Sequence, residues 1–162
     1  MGVGRDRVVF GLPRVASVSM TDIVVDVPVR LQPVGVDGTI ERVVFSNMEL
    51  NGIPFDVADY DAPFELPANE SADLPQPLRL HANFATVAPG LFGEAIMPSD
   101  TLHLTGRVIV SGTFRKWVFS FHRTADMRID ESGPNPLADY APLREVLARL
   151  RQLEQLGVRL PF

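Results

Sequence analysis

The sequence predicts an all-β protein, an antiparallel sandwich of immunoglobulin-like type that ends in one C-terminal α-helix. Three observations carry that expectation. Residues 101–110 and 114–122 alternate apolar and polar side chains with a period of two, and only Ser111-Gly112-Thr113 lies between them. Before residue 140, Pro and Gly recur too often for a helix long enough to cross between parallel strands, so the strands pair antiparallel. From Pro142 onward the apolar residues change to helical spacing.

Composition bounds the rest. A chain of 162 residues with 46% hydrophobic and 22% charged residues buries enough surface to fold as one domain without a covalent or metal staple. A net charge of −5 with no basic run excludes nucleic acid as a partner. With no cysteine there is no disulfide, no thiolate metal site and no Cys nucleophile. No apolar run approaches about 18 residues, so no transmembrane segment is expected. The first ten residues lack the apolar core of a signal peptide. As it stands the sequence therefore reads as cytoplasmic; it reads as periplasmic or lipid-anchored if Met1-Gly2-Val3-Gly4 replaces a removed leader.

In chain order, Val8-Val9-Phe10 and Val15-Ala16-Ser17-Val18 supply a short opening strand broken by Gly11 and Pro13. Residues 19–31 form the first clear strand, with Ile23, Val25, Val27, Val29 and Leu31 in one phase. Pro28 cannot donate to a ladder, which predicts an edge or a bulge there. A loop follows over 32–38. Extended structure resumes over 39–50, and Asn51-Gly52 predicts a type I′ turn, whose two central positions need positive φ. The return strand is 53–58, and 59–69 is an irregular connection. Leu78, Leu80 and Ala82 mark another strand, placed near an edge by Pro75 and Pro77. Pro89, Gly90, Gly93 and Pro98 limit residues 85–100 to one or two helical turns.

The hairpin over 101–122 is the expected core, with Trp117, Phe119 and Phe121 on its inner face. On that reading Trp117→Ala costs about 3–5 kcal/mol as a core truncation. Residues 131–136 carry Gly133, Pro134 and Pro136 and read as linker, which divides the chain into a β-domain over 1–133 and a linker with an amphipathic helix over 134–162. The helix is expected over 142–156. Asp139 is its N-cap, Glu145 and Arg149 pair four apart, and Gly157 is the stop.

Three stretches follow one another in order: Arg14-Val15-Ala16-Ser17-Val18 with the strand over 23–31, Glu49-Leu50-Asn51-Gly52-Ile53-Pro54, and Phe64-Glu65-Leu66-Pro67-Ala68-Asn69-Glu70-Ser71. Taken together they resemble the folded group 2 late embryogenesis abundant proteins, also called the WHy (water stress and hypersensitive response) domain. Leu102-His103-Leu104-Thr105-Gly106-Arg107-Val108 and Trp117-Val118-Phe119-Ser120-Phe121 resemble the family's closing strands. The likeness spans about residues 12–130. Where the family carries Asn-Pro-Asn, this chain has Leu31-Gln32-Pro33-Val34. The resemblance implies a fibronectin III-like sandwich, no catalytic residues, no cofactor, and a role in stress or desiccation tolerance.

Residue chemistry yields no catalytic group. His81, His103 and His122 fall on the polar phase of strands and read as solvated rather than as a metal site. Asp56, Asp59, Asp61 and Glu65 lack calcium-loop spacing. No Gly-x-Ser-x-Gly elbow or phosphate loop is present. The helix is the one candidate contact surface. Leu143, Val146, Leu150 and Leu153 recur at intervals of three, four and three, and Leu147 and Phe162 extend the stripe. This face either covers its own domain or meets a second copy or another protein. The expected function is a non-enzymatic stress-type sandwich acting by surface contacts; the alternative is a module of an envelope or secreted assembly attached through the helix. A hydrolase or binding protein with a polar pocket in 85–100 is the third reading.

Overall fold

A computed structural model of the chain describes residues 8–156 except 59 and 61. The described strands are β1 (Val8–Phe10), β2 (Arg14–Val18), β3 (Asp22–Val27), β4 (Val29–Leu31), β5 (Asp37–Leu50), β6 (Ile53–Pro54), β7 (Asp56–Val57), β8 (Phe64–Leu66), β9 (Ala72–Asp73) and β10 (Leu78–Asn83). Helix α1 (Pro89–Ala95), the long strands β11 (Thr101–Lys116) and β12 (Phe119–Pro134), a 3-10 turn (Pro136–Asp139) and α2 (Ala141–Gln155) complete the chain. Every strand pair described is antiparallel. The sheets are β1-β4-β9, β2-β3-β10-β7, and β12-β11-β5-β6 with β8 also on β5. Their inward faces, α1 and α2 share one apolar core.

Pro28 neither bulges a strand nor marks an edge; it divides the expected strand in two. β3 before it belongs to the second sheet, and β4 after it to the first. Without an N–H, Pro28 ends one ladder, and its free carbonyl accepts from Gly11 N at 2.8 Å. The Asn51-Gly52 turn forms as expected, with φ of 50° and 83°. The return strand is shorter: β6 stays beside β5, whereas β7 crosses to β10. That places β10 between β3 and β7, inside its sheet rather than near an edge. Pro75 and Pro77 precede the strand and so cost its ladder nothing.

The central hairpin is the largest departure. Each of its strands runs 16 residues. The ladder pairs Lys116 with Phe119, so Trp117 and Val118 form the loop. Ser111-Gly112-Thr113 lies in mid-ladder. Gly112 is there because strands approach closely: a Cβ would stand 2.8 Å from the Thr39 carbonyl. Trp117 is 86% exposed at the tip with φ of 59°, so it is no core residue. The expected linker is also mostly strand, because residues 131–134 pair with 101–104.

Asn51 and Asn135 fasten α1. Asn51 Nδ2 donates to the carbonyls of Ala95 and Thr101 at 3.0 and 3.2 Å, while Oδ1 accepts from His103 N at 2.7 Å. Asn135 is 7% exposed and donates to Ile96 O and Ser99 O at 2.7 and 3.0 Å, and its Oδ1 accepts from Leu137 N at 3.1 Å. The bonds to Ala95 O and Ile96 O satisfy carbonyls at the C-terminal end of α1, and those to Ser99 O and Thr101 O tie down the segment that follows it. Asp139 belongs to the 3-10 turn; the α2 ladder starts at the Tyr140 carbonyl, which accepts from Arg144 N at 3.2 Å.

Among the charged groups, Asp26 is 4% exposed on β3 and receives Arg79 Nε and Nη2 from β10 at 3.0 and 3.3 Å. That bond and the carboxylate's charge raise the Arg79 pKa. Arg30 of β4 donates to Asp73 of β9 at 2.7 Å, and the hydrogen bond first, then the guanidinium charge, lowers the Asp73 pKa.

Two results test this packing. Leu150 is fully buried, so Leu150→Ala should destabilise by about 2–5 kcal/mol, and Asn135→Ala by about 1–3 kcal/mol, in urea unfolding. Because the Asp73 pKa is lower in the folded chain than in the unfolded one, its pairing contributes above the ordinary Asp value of about 3.9 and is lost as pH falls through the lower folded value. Asp73→Asn should therefore flatten the acid limb of the stability curve and leave its neutral shape unchanged.

Candidate functional site

The length of β11 and β12 creates a surface that the sequence did not predict. On β11 the inward positions Leu102, Leu104, Val108, Val110, Gly112 and Phe114 are all buried. On β12 the inward series starts well, with Met127 and Ile129 buried, and then opens: Ala125 and Arg123 are exposed and Phe121 is half-buried. The hairpin thus runs past the strands that cover its base. Its inner face at that end borders a hollow of about 440 Å³. Val8 and Leu31 close the far side, and Phe114 and Phe121 stack beneath the tip with centroids 5.9 Å apart.

Beyond the hollow, Trp117, Val118 and Phe119 are 86%, 91% and 67% exposed. Basic groups follow on the two strands below them. Residues 114–123 contain Arg115, Lys116 and Arg123 and no Asp or Glu, in a chain whose net charge is −5. Lys116 Nζ sits 5.4 Å from the Trp117 ring centroid, and the Arg123 guanidinium lies 5.4 Å over Phe121. Glu41 on β5 is engaged by Thr113, whose hydroxyl donates at 2.8 Å, with His122 Nε2 3.8 Å away. Asp37, opposite Arg115 in the ladder, accepts from Ala68 N at 2.9 Å.

The residues expected to form a contact surface lie elsewhere and are mostly covered. Leu143, Leu147 and Leu150 are buried in the chain's own core, and Val146 and Leu153 are half-buried. Helix α2 packs on α1, β2 and the 3-10 turn. Among the described residues of the stripe, Leu143, Leu147 and Leu150 are therefore covered by the chain itself. Leu160 and Phe162 lie outside the described residues, as does Gly157.

The histidines are not brought together. Each faces a carboxylate on a neighbouring strand: His81 with Asp22 at 3.4 Å, His103 with Asp130, and His122 with Glu41. Among the described residues no group of three His, Asp or Glu side chains is placed to hold a metal. Of the acidic connection, Asp56 is exposed on β7, Glu65 accepts from the Thr39 hydroxyl at 2.9 Å, and Asp59 and Asp61 lie outside the described residues. A cavity of about 530 Å³ does form beside residues 89–100, between α1 and α2. Asp100, Asp139, Arg144 and Arg151 line it, without a histidine. Among the described residues, no helix is long and apolar enough to cross a membrane.

No protein-family model matches this chain, and no curated protein matches it. Among solved structures, a protein from Archaeoglobus fulgidus superposes with a TM-score of 0.43 at 12% identity, covering 78% of this chain and 94% of that one. At that score the likeness carries no argument about function.

Since Trp117 touches solvent rather than core, Trp117→Ala should change unfolding free energy by no more than about 0.5 kcal/mol. A core-sized loss in chemical denaturation would mean that the tip is packed in solution.

Proposed function

We propose that the chain is a non-enzymatic binding protein that acts by surface contact, and that the contact is made by the β11–β12 tip on a membrane surface carrying anionic lipid. The observation that carries this reading is the exposure of Trp117 and Val118 in the two-residue loop and of Phe119 beside it, at the end of a hairpin whose strands carry Arg115, Lys116 and Arg123. Trp and Phe partition to the boundary between headgroups and acyl chains, where an apolar ring and a wet edge are both accommodated. Each Lys or Arg held near an anionic leaflet adds about 1 kcal/mol. Two-sided pairing of β11 gives the loop a rigid base. On the resemblance to the WHy domain, such a contact would serve membranes under water stress.

A second reading, an assembly module held through α2, is favoured by one residue: Leu156, 71% exposed just past the helix end. It competes with the burial of Leu143, Leu147 and Leu150 in the same chain.

The test uses the chain's own fluorophore. Trp117 is the single tryptophan, so its emission reports on the tip alone. Mixing the protein with phosphatidylcholine vesicles that include phosphatidylserine should shift that emission to the blue and sediment the protein. The effect should weaken as salt rises. Trp117→Ala with Phe119→Ala should abolish sedimentation. An unshifted spectrum, or a double variant that sediments like the parent, would overturn the proposal.

A further inference from the structure

The hollow under the distal hairpin has the chemistry of a ligand site in its own right, and we infer that it takes the hydrocarbon chain of a single fatty acid whose carboxylate is held by Arg123 and Lys116. Its volume of about 440 Å³ falls within the ~300–1,000 Å³ of small-molecule pockets. The walls are aliphatic and aromatic: Val8 and Leu31 from the first sheet, Val110 and Phe114 from β11, and Phe121 and Met127 from β12. Among the described residues, Gln32 is the one uncharged polar side chain on the lining, and no carboxylate is there. A sugar or nucleotide would find almost no partner for its hydroxyls. An alkyl chain needs none.

Two features say why the space stays open. Gly112 stands opposite Arg123 in the ladder and contributes no side chain to the floor. A larger residue cannot be placed there without moving backbone, since a Cβ at Gly112 meets the Thr39 carbonyl at 2.8 Å. Across the ladder, Ala125 pairs with Val110 and is exposed on the same face. The distal hairpin therefore has its smallest side chains where a ligand would lie.

Charge selects the head group. Arg123 and Lys116 both line the hollow, and among the described residues each cation lies against an aromatic ring rather than a carboxylate. A guanidinium over Phe121 can donate through its fork to a ligand carboxylate while keeping its ring contact. Neutral or cationic amphiphiles would gain only the chain's burial.

The inference rests on the hollow, not on the tip, and holds whether or not the tip meets a membrane. The experiment accordingly contains no vesicles: submicellar laurate is titrated into the full chain by calorimetry. One laurate should bind per chain, with dodecyltrimethylammonium binding at least about tenfold more weakly. Ala125→Trp, which fills the hollow from an exposed position, should abolish the titration, and Arg123→Glu should weaken it by about tenfold or more. Both variants should melt like the parent, because neither side chain is buried. Absence of saturable binding, equal binding of the cationic amphiphile, or parent-like titrations by both variants would overturn the inference. Vesicle sedimentation, read separately, reports on the tip.

Discussion

The structure depends on the ladder in which β11 is hydrogen-bonded on both sides, to β12 across all 16 of its residues and to β5 over most of its length. Where β11 is paired on both edges its backbone polar groups are satisfied, so it can carry apolar side chains deep between two layers. Its length has a second consequence. The covering strands are short, three residues each in β1 and β4, and they shield the base of the hairpin but not its end. The overhang, with its hollow and its aromatic tip, follows from that mismatch in strand length.

Two irregularities let such a long ladder bend around a core. Register shifts separate Thr105 from Arg107 and Ser111 from Gly112 against β5. Asn47 adopts φ of 53° at the first shift, and Gly106 faces it, where a side chain would run into the Met48 sulfur. Bulges increase twist and curl a sheet without interrupting the apolar series. At the other end of the domain, the asparagine bonds to carbonyls at the end of α1 and just after it hold a short helix against the chain that leads into α2. Burial of Leu143, Leu147 and Leu150 then caps that end of the core. One end of the molecule is closed by a helix, and the other is left open by the hairpin.

This asymmetry gives the functional reading its physical basis. Ionic pairs elsewhere on the sheets, such as Arg30 with Asp73 and Arg107 with Asp126, neutralise one another at 2.7 and 3.1 Å. Towards the tip Lys116 and Arg123 lie on aromatic rings, where their charge remains available to an anionic partner. Apolar exposure and unneutralised positive charge coincide at one place on a chain that is acidic as a whole, and this combination suits an amphiphilic surface better than it suits solvent.

Local sequence determined what depends on neighbours along the chain. Alternation identified β3 with β4, β5, β10 and β11; Asn51-Gly52 identified its turn through the φ values that it alone tolerates cheaply; and helical spacing located α2 to within a residue of Ala141–Gln155. What pairs with what was decided by tertiary structure. Pro28 could be read as a break but not as a transfer between sheets, because that depends on which strand waits on either side. Gly112 carried a turn signal, yet the close approach of Thr39 puts it in mid-strand, and the ladder's length moved the turn to Trp117 despite that residue's poor preference for positive φ. The run Phe114-Arg115-Lys116-Trp117-Val118-Phe119, free of carboxylates, already held the composition of the candidate site. Only the tertiary structure decided that its aromatic residues face water, since exposure depends on how far the covering strands reach and not on the period of the run itself.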